Sequence, residues 1–446
     1  MVGWRLFWLI WLMGCGRQDK PDVFLISVDT LRWDHVGANN PNSPAKTPAM
    51  DALARDSIRF TDAFTPISVT GPAFASVMTG LSVKRHGVMM NLFRNGTALD
   101  DEYLTLAETM SSSGYKTAAF ISAFTLRPKL GLNQGFDIYD SPGDRNRTGD
   151  VTADRFVDWL KVQEGDVFAW FHSFDPHGPV DRHLHDGELH EGLEREPGLM
   201  DHIPQYQRIK DVTDPKLYEA LYARGVEFAD TQVGKVIAGL KATGRYEKSM
   251  VIFFADHGEG FRERELWYDH GSFAHVEQMR VPLFIKLPSQ KNAGRVDDRL
   301  TSLLDIAPSV TDLVDISTMN NVDGHSLLNE GSLREVLVAE SSHCKRVPVL
   351  RCSPEGGQGK QVVVRTKQMT MTSSSTKMGE EVIRYDRTTD PKEWTPLDAQ
   401  ETAPAYPTLV RERKDRRTRE YATLPPMQGR KPDAETVQLK ALGYLE

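Results

Sequence analysis

Carboxylate and imidazole side chains follow several apolar runs of this chain at the points where the runs end. Asp29 ends the first run, and Asp256 and His257 come directly after a later one. Asp175 and His177 follow a third run. A single Asp in such a place is most simply a cap. Several such segments meeting at one edge of a sheet predict a metal site, because carboxylates and imidazoles are ligands for divalent cations.

Thr70 lies where turn-like text changes into a helix-like run, in the segment SVTGPAFASVMTG. A hydroxyl at the N-terminus of a helix sits in a positive field beside free backbone N–H groups. Two interpretations stay open from the segment alone. Thr70 is either the N-cap of the helix or a nucleophile that a metal activates.

Apolar runs that alternate with helical patterns predict the scaffold for these residues. Residues 23–28 form a near-continuous apolar run, as expected of a strand buried on both faces of a parallel sheet. Residues 215–239 have apolar side chains near a 3.6 period, which predicts a helix. Further strand-like runs occupy residues 117–121, 167–171, 249–254 and 281–285. We expect an α/β fold with a large, mixed, mainly parallel sheet, helices on both faces, and ligands at the carboxyl ends of the strands.

The texture of the sequence changes after about residue 330. Short β-branched runs are separated there by turn-rich segments, which predicts a small antiparallel sheet; the runs are residues 336–340, 361–365 and 380–385. A polar helix with mixed charges, most simply a solvated face, is expected at residues 409–420. We therefore predict a catalytic domain over residues 22–330 and a small C-terminal α+β domain over residues 331–446.

The first residues are typical of an export signal. An arginine precedes an uninterrupted apolar run, and Leu-Met-Gly then leads to Cys15, which resembles a bacterial lipoprotein signal with a lipidated cysteine. Residues 1–15 are predicted to be this signal segment, and residues 16–21 the tether. A plain uncleaved anchor and a cleaved secretory signal are the alternatives. All three place the folded part outside the cytoplasm, and the first predicts an exported, membrane-anchored lipoprotein of a bacterial cell envelope.

Charge and cysteine content argue against three classes of protein. The net charge is −8, so a nucleic-acid binder that relies on a basic surface is not expected. The chain has only 3 cysteines, which excludes a disulfide scaffold and a multi-cysteine zinc protein. Besides Cys15, Cys344 and Cys352 either close a disulfide in an oxidising compartment or remain free thiols.

Several segments occur in an order that resembles the sulfatase family of the alkaline phosphatase superfamily. They include VFLISVDTLRWDHVG, SVTGPAFASVMTGL, FHSFDPHGP, FFADHGEG, RVPLFIKLP and, at the C-terminus, LKALGYLE. The resemblance runs from about residue 21 to the end of the chain. It implies a large α/β domain and a smaller C-terminal domain with a four-stranded antiparallel sheet. It also implies one site in which a divalent metal and a nucleophile act on a sulfate, phosphate or phosphonate ester.

The resemblance assigns a metal-ligand set. Asp29, Asp256 and His257 match metal-binding positions, and Thr70 matches the nucleophile, which would also bind the metal. The cofactor would be Mn, Zn, Ca or Mg, with His257 favouring Mn²⁺ or Zn²⁺. One metal is expected, and a second would need further ligands, for which the candidates are Asp175, His177, His270 and His275.

The resemblance also assigns residues that would contact the substrate. His177 matches a histidine that contacts the ester oxygens, and His270 lies near the residue that assists the leaving group. Asn91 lies near an asparagine that contacts the substrate in some relatives. Glu259 and Glu263 are expected to belong to a solvated loop rather than to the site.

The chain departs from the sulfatase pattern at the nucleophile. Sulfatases carry Cys-x-Pro-Ser-Arg or Ser-x-Pro-Ser-Arg, and their Cys or Ser is oxidised to formylglycine. Residues 70–74 read TGPAF, and oxidation of a threonine would give a ketone rather than an aldehyde. No formylglycine is therefore expected. Phe74 stands at the position of the usual arginine, and Thr30 at that of the usual second aspartate.

These features predict a metal-dependent hydrolase of sulfate or phosphate-type esters. A phosphodiester, phosphomonoester or phosphonate is favoured, because a sulfated threonine would release sulfate poorly. The partner would be a small or polymeric anionic ester as substrate. A lipidated Cys15 would attach the protein to the membrane. Two alternatives stay open, a non-catalytic binding protein that kept the fold and a group transferase of the same superfamily.

Overall fold

The computed structural model of the chain describes residues 20–91, 98–183, 193–264, 267–316, 319, 321–331, 333–342, 361–376, 379–398 and 403–422. The predicted signal segment with Cys15, most of the tether, and both Cys344 and Cys352 lie outside these residues. Within the described part, no helix combines the length and the apolar character needed to cross a bilayer.

The described strands are, in chain order, β1 (Val23–Val28), β2 (Ile58–Phe60), β3 (Ala63–Phe64), β4 (Lys116–Ile121), β5 (Ile138–Asp140), β6 (Val167–Ser173), β7 (Met250–Phe254), β8 (Gly260–Phe261), β9 (Trp267–Asp269), β10 (Leu283–Lys286), β11 (Val296–Asp297), β12 (Thr301–Ser302), β13 (Leu337–Glu340), β14 (Gln361–Arg365), β15 (Met369–Thr376), β16 (Gly379–Asp386) and β17 (Leu397–Asp398). The described α-helices are α1 (Pro48–Arg55), α2 (Thr70–Thr79), α3 (Val83–His86), α4 (Leu106–Ser112), α5 (Gly149–Lys161), α6 (Pro215–Ala242), α7 (Val276–Met279), α8 (Ile306–Leu313) and α9 (Tyr406–Ala422).

The large sheet has eight strands in the order β11-β2-β10-β7-β1-β6-β4-β5. Strand β1 is central and runs parallel to both of its neighbours, β6 and β7. Strand β10 is antiparallel to β7 and β2, so the sheet is mixed and mainly parallel, as predicted. Every residue of β1 is buried, which explains its near-continuous apolar sequence. The carboxyl ends of β1, β6 and β7 therefore meet at one edge, where the predicted metal ligands follow them.

A second, antiparallel sheet follows in the chain, with the strand order β13-β14-β15-β16-β17. The resemblance implied four strands, and the fifth strand here is the two-residue β17 at the edge. Helix α9 packs on this sheet through Leu409, which joins the apolar cluster of Val362, Val364 and Met371 together with Ala405, the residue just before the helix. The antiparallel sheet predicted from the β-branched runs is thus confirmed, whereas the exact domain boundary near residue 330 stays a prediction.

Candidate active site

Three predicted metal ligands come together at the carboxyl edge of the large sheet. Asp29 follows β1, and Asp256 and His257 follow its parallel neighbour β7. One ligand atom from each residue lies within 4.8 Å of the other two, and all three residues are buried. Parallel neighbouring strands bring residues that are far apart in sequence to the same edge, and this is the geometry a cation site needs.

Two carboxylate oxygens of this cluster are left for a cation because they lack hydrogen-bond partners. Among the described residues, Asp29 Oδ1 and Asp256 Oδ2 have no hydrogen-bond partner. Buried oxygens are normally satisfied, so two orphaned carboxylate oxygens in one cluster point to a ligand. The second oxygen of Asp256 accepts from the backbone N–H groups of Thr30, at 3.1 Å, and His257, at 2.9 Å.

The orientation of His257 also fits a metal ligand. Its Nδ1 lies 2.8 Å from the carbonyl oxygen of Gly258 and donates to it, so Nε2 keeps its lone pair in the neutral ring. Nε2 lies 3.4 Å from Asp256 Oδ2 and 3.5 Å from Thr70 Oγ1. The sequence predicted Mn²⁺ or Zn²⁺ from the imidazole in this donor set of two carboxylates and one histidine, and the identity of the metal stays a prediction.

The pKa values of both carboxylates in the cluster are raised, so these groups need a nearby positive charge to stay ionised. Burial raises the pKa of Asp29 to about 7, and burial together with the charge of Asp29 raises the pKa of Asp256 to about 6. Burial lowers the pKa of His257, but the carboxylates of Asp256 and Asp29 outweigh it, so its pKa is raised. A divalent cation would supply the charge that both carboxylates need in order to stay ionised.

Thr70 begins helix α2 but does not cap it. The N-cap of α2 is Val69, which makes no side-chain capping bond, and the Thr70 hydroxyl instead points to His257 Nε2. Of the two interpretations left open by the sequence, the geometry therefore disfavours the N-cap. The hydroxyl lies at the positive end of a ten-residue helix and beside the metal cluster, where a nucleophile would be needed.

Asn91 lies at the start of the same helix. Its side-chain oxygen accepts from the N–H of Gly71 at 2.7 Å, so that oxygen is used to satisfy the helix N-terminus. A Cβ on Gly71 would lie 2.8 Å from this oxygen, which explains the glycine next to Thr70. The part of Asn91 that remains for the predicted substrate contact is its amide NH₂ group.

His177 and His270 form a row of imidazoles with His257. The ring centres of His257 and His270 are 4.4 Å apart, and those of His270 and His177 are 5.1 Å apart. His177 Nδ1 lies 2.8 Å from the carbonyl oxygen of Gly178. Burial, reinforced by the nearby His270, lowers the pKa of His177 well below its usual value. The two histidines predicted to contact the substrate thus lie beside the predicted metal site.

The expectation that Glu259 and Glu263 belong to a solvated loop is wrong. Glu259 is only 2% exposed, and its carboxylate oxygens lie 3.3 and 3.4 Å from His270 Nδ1. Glu263 forms an ion pair with the buried Arg32 at 2.6 Å. The charged turn after β7 has no periodicity, so the burial of Glu259 and the ion pair of Glu263 depend on contacts that the local sequence does not reveal.

The sequence also missed His172, which lies within β6. Its Nε2 is 3.3 Å from Asp29 Oδ2, and both side chains are fully buried. Burial lowers the pKa of His172 to about 4, so the ring is neutral at neutral pH. The available signal was a lone histidine in an otherwise apolar strand directly before the Asp-Pro-His segment.

Two candidates for a second metal lie elsewhere. Asp175 accepts from Ser173 Oγ at 2.5 Å and from the N–H of Gly149 at 3.1 Å, and it is not part of the metal cluster. His275 faces Glu393 of the small domain at 3.3 Å. Within the described ranges, Asp29, Asp256 and His257 make up the one group of metal-ligating side chains.

The two departures from the sulfatase pattern have structural roles. Phe74 is fully buried and packs against Trp170, His172 and Phe254 at ring distances of 4.8, 5.3 and 6.0 Å. Thr30 adopts a left-handed backbone, φ 53°, and donates its hydroxyl to the carbonyl oxygen of Asp29. At the position of the usual arginine, Phe74 therefore provides aromatic packing. At the position of the usual aspartate, Thr30 provides a hydrogen bond from its hydroxyl to the backbone.

Comparisons with known proteins fit this architecture. A family model described as "Sulfatase" matches residues 21–316. The ulvan-active sulfatase of Formosa agariphila is 25% identical over 345 residues, which cover 69% of this chain and 64% of that protein. The arylsulfatase of Clostridium perfringens is 24% identical over 380 residues, which cover 69% of this chain and 78% of that protein. The phosphonate monoester hydrolase of Agrobacterium radiobacter shares the fold, with a TM-score of 0.68, 22% identity and coverage of 90% of this chain and 96% of that chain.

Proposed function

The chain belongs to the sulfatase family of the alkaline phosphatase superfamily, and from this membership we propose that it is a metal-dependent ester hydrolase with Thr70 as its nucleophile. The observation that carries the proposal is the position of the Thr70 hydroxyl, 3.5 Å from His257 Nε2 and not used as a helix cap. Asp29, Thr70, Asp256 and His257 would hold one divalent cation. When bound, the cation would lower the pKa of the Thr70 hydroxyl and neutralise negative charge on the ester.

The chemistry of a threonine favours phosphorus over sulfur. The Thr70 hydroxyl would lose its proton to solvent, and its Oγ would attack the phosphorus of a phosphodiester, phosphomonoester or phosphonate ester. The bond from phosphorus to the leaving oxygen would break, and Thr70 would carry the phosphoryl or phosphonyl group as an ester. A water molecule would then break the bond between phosphorus and Thr70 Oγ and restore the free hydroxyl. This route needs no formylglycine, which a threonine does not supply.

The two histidines beside the cluster would handle the substrate. His270, whose Nδ1 faces Glu259, would give a proton to the leaving oxygen, and general acid catalysis of this kind is worth about 10²–10⁴-fold in rate. His177 and the amide NH₂ group of Asn91 would contact the ester oxygens. The substrate would be a small or polymeric anionic ester, bound at the carboxyl edge of the large sheet.

The proposed location follows from the N-terminal sequence. The apolar run that ends in Leu-Met-Gly-Cys, with Cys15 as the lipid-bearing residue, supports an exported lipoprotein anchored to a membrane of the cell envelope. Labelling of the expressed protein with a radioactive fatty acid tests this, and a Cys15→Ala variant is the control. Incorporation that is unchanged in the variant would contradict the anchor.

A hydrolysis assay with four esters tests the activity. Purified protein, stripped with a chelator, is supplied in turn with Mn²⁺, Zn²⁺, Ca²⁺ or Mg²⁺ and given an aryl sulfate, phosphate monoester, phosphodiester or phosphonate. We expect turnover of a phosphorus ester that falls by about 10³-fold or more in Thr70→Ala. Thr70→Ser, which keeps a hydroxyl at the start of α2, should retain measurable activity.

The other outcomes separate the alternatives. Turnover of the sulfate alone would contradict the preference for phosphorus. Full activity of Thr70→Ala would exclude Thr70 as the nucleophile. Metal binding without turnover of any ester would favour a binding protein with this fold. Products that carry the phosphoryl group on an added alcohol would favour a transferase.

A further inference from the structure

The segment 271–276 leads from His270 into helix α7, and residues of the small domain bind it by hydrogen bonds. Gln361, at the start of β14, accepts from the N–H of Ala274 through its side-chain oxygen at 2.9 Å. Arg365, at the end of the same strand, donates from Nη2 to the carbonyl oxygen of Ala274 at 2.6 Å. One strand of the small domain thus binds both backbone groups of one residue in the segment that follows His270.

A third residue of the small domain completes this contact. Glu393 Oε2 accepts from the N–H of Val276 at 3.3 Å and lies 3.3 Å from His275 Nδ1. Its other oxygen, Oε1, lies 3.3 Å from Arg365 Nη2. We refer to Gln361, Arg365 and Glu393 together as the interdomain clamp.

The charged residues of the clamp are buried, and the loss of their hydration makes them a poor means of stabilising the protein. Arg365 is 0% exposed and Glu393 is 1% exposed. A buried ion pair often stabilises a protein no better than apolar residues of similar volume, because both charges lose their hydration. What the pair does provide is a set of directed hydrogen bonds to the backbone of Ala274 and Val276, which apolar side chains cannot make.

Helix α7, into which the segment leads, is hydrogen-bonded to the loop after β7 that carries His257, which we call the metal-site loop. The N–H of Gly258 donates to the carbonyl oxygen of Gln278 at 2.8 Å, and a Cβ on Gly258 would lie 2.2 Å from the carbonyl oxygen of Glu277. Glu259, the next residue of that loop, faces His270. The metal-site loop is therefore fixed to helix α7 and faces His270, while the segment between His270 and α7 is fixed to the small domain.

We propose that the interdomain clamp positions His270 for proton transfer to the leaving group, so that the small domain takes part in catalysis through this contact. The inference rests on the proposed function, since it takes His270 as the proton donor. The hydrogen bonds of the clamp reach Ala274, His275 and Val276, which belong neither to the metal cluster nor to the row of imidazoles. They act as positioning residues.

The dependence of the rate on the leaving group tests the proposal. A poor leaving group such as phenol needs the proton more than 4-nitrophenol does, so a displaced His270 slows the phenyl ester more. Glu393→Gln keeps the size of the side chain and removes its charge. We expect kcat for a phenyl phosphonate to fall about tenfold more than kcat for the matching 4-nitrophenyl phosphonate.

A matched control lies at the same boundary between the domains. Glu412 on α9 is buried and forms an ion pair with Lys84 at 2.8 Å, and it does not contact the segment 271–276. Glu412→Gln should leave the ratio of the two rates unchanged. Gln361→Met, which removes the side-chain oxygen that accepts from Ala274, gives a second clamp variant without a change of charge if Glu393→Gln does not fold. An equal loss on both esters in the clamp variants would overturn the proposal.

A His270→Gln variant separates the failure of this proposal from failure of the proposed function. If His270→Gln leaves the ratio unchanged, His270 is not the proton donor and the premise fails. If His270→Gln raises the ratio and the clamp variants do not, the clamp alone is overturned. The NMR signals of the His270 ring in histidine-labelled protein give a readout without turnover. They should shift in Glu393→Gln and Gln361→Met and stay in place in Glu412→Gln, and unshifted signals in the clamp variants would also overturn the proposal.

Discussion

The metal cluster and the His270 segment are positioned in different ways. Asp29, Asp256 and His257 are placed by the ends of two parallel strands, whose register is fixed by burial on both faces. His270 lies in a connection without regular structure, which the small domain and the metal-site loop hold by hydrogen bonds. The comparison teaches that one site combines a rigid half, set by the sheet, with a half that depends on contacts between domains.

The largest expected effect comes from changing a residue in the half of the site that the sheet sets, formed by Asp29, Asp256 and His257, which we call the strand-end half. Asp256→Asn keeps a side-chain oxygen that can accept from Thr30 and His257 but removes the charge that a cation needs. We expect loss of the bound metal and a fall in turnover on the order of 10³-fold or more. Metal analysis of the dialysed protein and the ester assay measure both.

The control for that prediction is another buried aspartate after a neighbouring strand. Asp175 follows β6 and is equally buried, but it binds Ser173 and Gly149 instead of facing the cluster. Asp175→Asn should retain the metal. Equal loss of metal in the two variants would show that burial of a carboxylate at this edge, rather than membership of the cluster, decides metal binding.

A second prediction concerns the packing that keeps the strand-end half rigid. Phe74 packs against Trp170 and Phe254, at the position of the arginine in the sulfatase pattern. Phe74→Ala should lower the free energy of unfolding by about 3–5 kcal/mol because it leaves a cavity in a closely packed core. Denaturant unfolding measures it, with Phe74→Leu as the milder control. A loss of turnover without a loss of stability would instead place Phe74 in contact with the substrate.

The same comparison explains what the sequence could and could not predict. The apolar runs before Asp29 and Asp256 predicted parallel strands, and parallel strands carry their residues to one edge. The local pattern thus predicted where the site lies, whereas the choice of Asp29, Asp256 and His257 over Asp175 came from the resemblance to sulfatases. Glu259 was expected in a solvated loop, because nothing in the sequence near it indicates that its side chain contacts His270 in the interior. The contact of Glu393 with His275 joins residues more than a hundred positions apart. Neither contact has a periodic signal in the sequence.

The smallest expected effect concerns His172, which contacts the strand-end half and which was not predicted from the sequence. His172 is neutral at neutral pH, since burial lowers its pKa to about 4, and its Nε2–H donates to Asp29 Oδ2 at 3.3 Å. His172→Phe keeps a ring among aromatic neighbours and removes the donor, so it should weaken metal affinity by about 10–100-fold. His172→Gln, whose amide N–H can take the place of Nε2–H, should restore most of that affinity.

Titration of the chelated protein with Mn²⁺ or Zn²⁺, followed by calorimetry and by recovery of turnover, measures the His172 variants. Turnover at saturating metal should stay close to that of the parent protein, because His172 acts on the orientation of Asp29 and not on the ester. Unchanged metal affinity with lost turnover would instead give His172 a direct role beside His177. In that case the strand-end half would carry substrate contacts as well as the metal, and the division of the site into two halves would no longer hold.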